Sequence, residues 1–568
     1  MRYTKHVIMR ICLLALLGGN SSAGAQVQSL ILGRGGVPWL DVAQRIIALE
    51  DTTHPGALQP RRIDPNQNFM AGPRNERGDF TNALGYAWAF NKVGRGENFE
   101  LGVNPRFWTS IRACRGCGGH TALIDGDPQS VTKVIGVSKG STGQEHLHTF
   151  DFGVPMPINR VVFFPPEKGV DELGGLMKQR FPRAYEVSAA LEPRSYLLLG
   201  EETSYHTLDK VLARTFSNDS RVVDLRFPTQ ILRFLRISFN LVDQQYLLSE
   251  IQVYGEGAPP VTSYRTVILD MERPVNFGRI KWTFSRHRQG DNGTEPDSDA
   301  PVDLVLETRS GKDDSPHRYY LVSDFGSEDE VDEATYRRAA ESSIRIGPRP
   351  GDQSSIKPDE ENWSFWSVPY SQSGEQVQSP DARRFLQLQF RMESSDFLAF
   401  GRLDSIAVEY SPLLVEKLVG EVGLAGAASG SAAVEVPAGV DTTFLSEIRA
   451  HFGPAGRSGF DVLRLQTPGG ARFVKFEIGD PPQAVEPDSV VQTDDLLAVY
   501  FPTNKIRRTS GSERVRLSFN ARLLRLSTPF NMEIAALNDE NLPQSVEPGD
   551  ASAELGSNDI WIFARDAR

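Results

Sequence analysis

Residues 231–254 read ILRFLRISFNLVDQQYLLSEIQVY and contain two short apolar runs. In the first run, Leu235, Ile237 and Phe239 fall on one face of an extended chain, because side chains alternate across a strand. The intervening Arg236 falls on the opposite face. This alternation predicts a strand with one buried face, of the kind that fills an antiparallel sandwich.

The same kind of ending occurs again further along the chain. The run FLQL at 385–388 precedes LDSIAVEY at 403–410, much as the apolar runs of 231–254 follow each other. A third series of short apolar runs lies between 443 and 563, and 50 Gly with 36 Pro interrupt the chain too often for long helices. The sequence therefore predicts a mainly β protein with several antiparallel β-sandwich domains in series.

Turn-rich stretches set the expected domain boundaries. The stretch GEGAPP at 255–260 is a natural linker, since its prolines cannot donate to a sheet ladder. Residues 324–358 are first acidic and then rich in Pro and Gly, which predicts a long surface loop. The predicted divisions are a signal peptide at 1–25, an irregular segment at 26–117 that packs on the first sandwich, a first sandwich at 118–257, a second at 261–412 and a third at 413–568. Within the irregular segment, Trp39–Leu49 is predicted to form a short helix.

The first 25 residues follow the secretory pattern. Arg2, Lys5 and Arg10 surround an apolar stretch, and small residues end at Ala25, where we expect cleavage. No later run approaches the ~20 apolar residues of a spanning helix. We therefore expect an exported protein with no transmembrane segment.

The composition bears on the partner. The formal net charge of -12 opposes binding to nucleic acid, which requires a cationic surface. Cys114 and Cys117 are the cysteines beyond the predicted leader. In an oxidising compartment they predict a local disulfide. A zinc site lacks its second pair of ligands, haem attachment requires a His where Gly118 stands, and the surrounding glycines argue against a thioredoxin-like site.

Several motifs in the middle of the chain carry a resemblance. They are Ile124-Asp125-Gly126-Asp127, TFDFG at 149–153, Asn159-Arg160-Val161 and the ending 234–255. Together they resemble the discoidin, or coagulation-factor type C, domain of the galactose-binding-like jelly rolls. The second unit resembles the same superfamily through Trp363, Trp366 and 379–387. The third unit resembles an immunoglobulin-like or cohesin-like sandwich.

This resemblance implies a sandwich whose end loops bind glycans or lipid head groups, often beside a structural Ca²⁺ ion. By position, the calcium loop of the family corresponds to Asp125 and Asp127, with Glu250 as a further oxygen ligand. Carboxylates suit Ca²⁺, which takes six to eight oxygens. The alternative is an ordinary turn in which the Asp side chains cap backbone amides.

Glycan binding requires aromatic faces and polar groups in loops. The candidates are His146, His148, Tyr205, His206, Trp363 and Trp366. For the histidines a buried ring at a strand start is an equal alternative, and for the tryptophans the alternative is packing. Arg233 and Arg236 are predicted to pair with carboxylates.

Motifs of known enzyme classes are missing from the sequence. It contains no Gly-x-Ser-x-Gly, no His-Glu-x-x-His and no Walker loop. We therefore predict a secreted, non-catalytic protein that binds extracellular or cell-surface carbohydrate. The alternatives are a structural or adhesive protein that binds other surface proteins and, less favoured, a glycan-acting hydrolase.

Overall fold

The computed structural model describes residues 9–10, 27–90, 106–110, 120–132, 147–171, 174–192, 207–239, 246–290, 293–340, 347–426, 434–453, 457–466, 470–508, 513–552 and 554–565. About 53% of residues lie in strands and 3% in helices, which confirms a mainly β protein. The sheets are predominantly antiparallel and form several sandwiches. The predicted fold class is therefore correct.

The first sandwich is built on two long antiparallel strands, Leu147–Phe164 and Val223–Ser238. The strand Leu147–Phe164 bends at Gly153, which has a φ of +80°. The strand Val223–Ser238 bends at a register shift after Leu232. Their two halves pack on one hydrophobic core. The strand order is Lys210–Thr215, Tyr185–Ala190, Val223–Ser238, Leu147–Phe164, Arg106–Ser110 and Ala89–Phe90, with Glu250–Gly255 also paired to Leu147–Phe164.

The second sandwich takes strands from both ends of the chain's first 412 residues. Its main sheet has the order Gln28–Gly33, Ala399–Pro412, Leu269–Gly290, Arg383–Ser394, Val261–Thr266 and Ala43–Ile47. Further strands paired to these are Met9–Arg10, Gly293–Pro296, Val302–Gly311 and Glu375–Gln376. The short strands Leu49–Glu50 and Gln59–Pro60 pair with each other. The segment 28–50 is therefore part of the second sandwich.

The segment 26–117 is divided between two cores. Leu30, Trp39 and Leu58 are buried in the core of the second sandwich, whereas Phe69 and Trp88 are buried in that of the first. Ile47 and Ala48 also belong to the core of the first sandwich, so the strand Ala43–Ile47 and the residue after it contact both cores.

The helix predicted over Trp39–Leu49 is wrong. These residues form a turn followed by the strand Ala43–Ile47, which pairs with Val261–Thr266. Ala48 has a φ of +54°, a left-handed conformation that a continuing helix does not allow. Pairing with a distant strand therefore overrides the local pattern.

The long surface loop predicted at 324–358 is also wrong in part. The strands His317–Val322, Glu328–Val331 and Gln353–Pro358 form a small sheet. A short helix, Glu333–Arg338, begins after Asp332, whose carboxylate accepts a hydrogen bond from the Thr335 amide. The acidic run is held by ion pairs such as Lys357 Nζ to Glu328 at 2.5 Å.

The third sandwich follows the predicted strand series closely. One sheet has the order Gln483–Ala484, Arg472–Ile478, Arg514–Arg522, Asp441–His451, Lys417–Leu424 and Glu547–Pro548. A second has the order Ser489–Gln492, Leu496–Tyr500, Val462–Gln466, Asn531–Ala535 and Gln544–Ser545, and a third has Val434–Pro437, Trp561–Arg565 and Ser527–Pro529. Short 3₁₀ turns lie at His120–Leu123, Met177–Gln179 and Pro502–Asn504. In the core of the third sandwich, Phe444, Phe519 and Phe530 pack together with ring centroids 5.3 to 5.6 Å apart.

Side chains fix the junction between the second and third sandwiches. Ser411 Oγ, near the end of the strand Ala399–Pro412, accepts a hydrogen bond from the Leu542 amide at 3.0 Å. Ser545 Oγ donates to Asp381 at 2.7 Å. The junction is therefore a hydrogen-bonded contact.

Candidate functional site

The Asp-Gly-Asp loop lies beside the start of the last strand of the first sandwich. Asp125 Oδ1 accepts hydrogen bonds from the Asp127 amide at 2.9 Å and from Ser130 Oγ at 3.1 Å. Asp127 Oδ1 accepts one from the Gln129 amide at 2.9 Å. Both aspartates therefore cap a turn with one oxygen, and Gly126, at a φ of +77°, allows that turn.

Glu250 faces this loop from the strand Glu250–Gly255. Its side chain is 2% exposed, and Oε2 accepts a hydrogen bond from Gln252 Nε2 at 2.5 Å. Oε1 is buried and has no hydrogen-bond partner among the residues that the structure describes. Burial raises the pKa of Glu250 and outweighs the opposing effect of the Gln252 and Gly126 amides, and the negative charges of Asp125 and Asp127 raise it further. We call Asp125, Asp127 and Glu250 the carboxylate loop.

The carboxylate loop fits a cation in part. A buried carboxylate oxygen without a partner, next to two further carboxylates, is destabilised until a positive charge neutralises it. However, the described residues hold no cluster of three His, Cys, Asp or Glu side chains close enough to ligate one ion. Backbone carbonyls, which are ordinary Ca²⁺ ligands, would have to complete the set.

Arg233 and Arg236 both lie inside the first sandwich, on the strand Val223–Ser238. Arg233 Nε donates to Asp151 Oδ1 at 2.9 Å, and the two side chains are only 7% and 1% exposed. Arg236 Nε donates to Thr149 Oγ1 at 2.9 Å. Both arginines are therefore held by polar groups within the sandwich rather than presented to solvent.

His148 is placed in the same interior. It is 1% exposed, and its ring meets Phe239 edge to face at a centroid distance of 5.8 Å. This geometry corresponds to the structural alternative for a histidine at a strand start. A ligand would reach His148 only if the sandwich opened.

The two tryptophans of the second sandwich differ in exposure. Trp363 is 4% exposed, and its indole N–H donates to Asp313 at 3.0 Å. Trp366 is half-buried and stacks on the Arg309 guanidinium, 4.5 Å from the ring centroid. Next to it, Phe365 is 69% exposed. Of the two tryptophans, Trp366 is therefore the one that a ligand can reach, with Phe365 exposed beside it.

The remaining predicted residues lie outside the described ranges. These are His146, Tyr205, His206, Cys114, Cys117 and, apart from residues 9–10, the predicted leader. Sequence reasoning also missed a cluster of arginines contributed by residues 61, 62 and 402, which no local motif marks. In the described part of the chain, no helix has the length and apolar character needed to cross a bilayer.

No family model and no curated protein matches this chain. Solved carbohydrate-binding modules match about a quarter of it. One is chitosan-binding module 1 of a chitosanase/glucanase from Paenibacillus sp. IK-5, with 15% identity, coverage of 26% of this chain and 93% of that chain, and a TM-score of 0.18. Another is module 2 of the same enzyme in complex with chitotriose, with 18% identity, coverage of 28% and 100%, and a TM-score of 0.19. A third is the family 32 carbohydrate-binding module of C. perfringens NanJ in complex with galactose, with 14% identity, coverage of 26% and 93%, and a TM-score of 0.18.

Proposed function

We propose that this chain is an exported, non-catalytic carbohydrate-binding protein and that the end loops of its first sandwich bind the glycan. The observation that carries the proposal is the placement of the carboxylate loop against the last strand of a bent antiparallel sandwich. That arrangement is the one that the discoidin resemblance implies. The sandwich is internally stabilised by the buried Arg233–Asp151 pair, so its loops can vary without loss of the fold.

Loop contacts of this kind give shallow sites. Single-site affinity is then low, and binding at more than one module raises the overall avidity. Tyr205 and His206 are the stacking and hydrogen-bonding candidates that the sequence indicates for the first unit. Trp366 is the corresponding candidate on the second.

The test measures retention of the full chain on immobilised galactose and chitotriose, which are glycans named for the similar structures. We expect retention that Tyr205→Ala weakens about tenfold, because a lost stacking contact costs about 0.5–1.5 kcal/mol beyond its buried area. Phe216→Ala is the matched control, since Phe216 is an aromatic residue of the same sandwich that is 61% exposed. Absence of retention on every glycan tested would refute the proposal.

A second candidate is a structural or adhesive surface protein. The hydrogen bonds that join the second and third sandwiches at Ser411 and Asp381 favour it, since a fixed arrangement of sandwiches suits a spacer. Capture of defined surface proteins without glycan retention would support this function. Release of reducing sugars from a polysaccharide panel would instead identify a hydrolase.

A further inference from the structure

A pocket of about 430 Å³ lies where the segment after the strand Leu49–Glu50 meets the second sandwich. Its walls come from residues 50–65, from Thr294 and from the strand Ala399–Pro412. The volume falls within the range of about 300–1,000 Å³ that is usual for small-molecule sites. The pocket borders the first sandwich at Ile63 and lies apart from the carboxylate loop and from Trp366.

Arginines 61, 62 and 402 line this pocket, which we call the arginine pocket. Arg61 donates to the Leu84 carbonyl at 3.1 Å, Arg62 to Thr294 Oγ1 at 3.2 Å, and Arg402 Nε to Gln59 Oε1 at 3.0 Å. All three acceptors are neutral. None of the three arginines forms an ion pair with another described residue, although the chain carries a net charge of -12.

The carboxylates that line the pocket are already engaged. Glu50 accepts hydrogen bonds from the amides of Thr52 and Thr53, at 2.8 and 2.9 Å, and from Gln59 Nε2 at 2.7 Å. These donors outweigh the effect of its burial and lower the pKa of Glu50 to about 2. Asp64 is exposed at the rim and accepts the Asn66 amide at 2.8 Å.

Glu50 also positions Arg402 through Gln59. The Gln59 amide donates its N–H to Glu50, so its oxygen is oriented towards Arg402 Nε. The outer nitrogens of Arg402 remain available to the pocket that it lines. Burial lowers the pKa of Arg402, and Arg34 lowers it further, although the negative charges of Asp404 and Glu50 act in the opposite direction.

We propose that the arginine pocket binds the carboxylate of an acidic sugar, a uronic or sialic acid unit of a polysaccharide. Arginine matches a carboxylate because its planar fork donates two parallel hydrogen bonds. Thr52, Thr53 and His54 supply polar groups for the sugar hydroxyls. The site is distinct from the glycan-binding loops of the first sandwich, so this inference does not depend on them.

The test is calorimetric titration of the full chain with glucuronate. Glucose, which has the same ring but no carboxylate, is the neutral comparison, and inorganic phosphate is the comparison anion without a sugar. We expect glucuronate to bind at least tenfold more tightly than glucose or phosphate, and added salt to weaken it. Arg62→Gln and Arg402→Gln should each reduce the affinity about tenfold. Arg525→Gln is the control, because Arg525 is an exposed arginine of the third sandwich.

Arg62 is exposed, so Arg62→Gln tests the pocket without a risk to folding. If glucose binds as tightly as glucuronate, the arginines do not recognise the carboxylate. If phosphate binds as tightly as glucuronate, the pocket binds anions in general and not an acidic sugar. Unchanged affinity in Arg62→Gln and Arg402→Gln would overturn the site. Retention on galactose, measured on the same samples, reports on the first sandwich separately, so a failure there leaves the glucuronate result interpretable.

Discussion

The carboxylate loop and the arginine pocket concentrate charge of opposite sign, and they are built in different ways. Asp125 and Asp127 are separated by one residue and use one oxygen each to hold their own turn. The three arginines come from two distant segments, and neutral acceptors fix them. The loop therefore requires only the local chain and Glu250. The pocket exists only if the segment 28–65 folds against the second sandwich.

The largest effect should come from breaking that contact. Trp39 is 1% exposed, packs against Tyr264 at a centroid distance of 5.4 Å, and donates its indole N–H to the Gly56 carbonyl at 3.0 Å. Trp39→Ala removes a buried indole and should cost about 3–5 kcal/mol in the free energy of unfolding of the second sandwich. Denaturant unfolding followed by circular dichroism measures it.

The same variant separates the two sites. Glucuronate binding should be lost, because Trp39 holds the turn at Gly56 that leads to Arg61. Any stabilisation of the first sandwich by added Ca²⁺ should persist. Leu40→Ala is the control, since Leu40 is 57% exposed and its truncation should change stability by less than about 0.5 kcal/mol. A Trp39→Ala protein with unchanged stability would show that the segment does not support the second sandwich.

Local patterns predicted the strands well but could not predict which sheet receives them. The alternation of Leu235, Ile237 and Phe239 is visible because one face of that strand is buried in its own sandwich. Ala43–Ile47 pairs with Val261–Thr266, more than two hundred residues away. No local pattern records such a partner, so the local pattern of Trp39–Leu49 favours a helix that does not form.

The next effect concerns the carboxylate loop. Adding Ca²⁺ to the full chain should stabilise the first sandwich by about 2–3 kcal/mol when the ion is present at about one hundred times its dissociation constant. Glu250→Gln should remove most of this gain, because it removes the charge of the buried ligand. Thermal melts with Ca²⁺ and with chelator measure it, and Glu167→Gln is the control, since Glu167 is 55% exposed.

The pH dependence of the calcium effect has a definite sign. The pKa of Glu250 is raised above its usual 4.5, so its contribution to the stability of the metal-free protein is present at low pH and is lost as pH rises through the raised value. Calcium binds the deprotonated form, and its stabilising effect should therefore grow over the same pH interval. A calcium effect that is flat with pH, or equal in Glu250→Gln, would contradict a site at this loop.

The sites were harder to predict than the strands, for a physical reason. An Asp-Gly-Asp turn can be recognised because it needs a glycine at a positive φ and carboxylates beside it. Exposure cannot be recognised in the same way. Trp363 and Trp366 have the same chemistry and lie three residues apart, yet the first is buried and the second is half-exposed on Arg309. Arg402 carries no local signal at all.

The smallest effect concerns Asp381, a half-buried carboxylate for which no cation is predicted. Asp381 accepts hydrogen bonds from the Phe277 amide and Ser545 Oγ, both at 2.7 Å, yet burial raises its pKa from 3.8 to about 6. Its contribution to stability is therefore complete below pH 3.8 and is lost as pH rises to about 6. Asp381→Asn removes this dependence, and the variant should gain about 1–2 kcal/mol relative to the parent protein between pH 4 and pH 7.

Urea unfolding at a series of pH values measures that gain, with the exposed Asp299→Asn as control. Calcium should leave the Asp381 profile unchanged, because neutral hydrogen bonds at the junction of the second and third sandwiches satisfy both carboxylate oxygens. Glu250 has one oxygen unsatisfied, so its profile should respond to calcium. If both profiles shift together, the ion acts on the whole chain and the carboxylate loop is not its site.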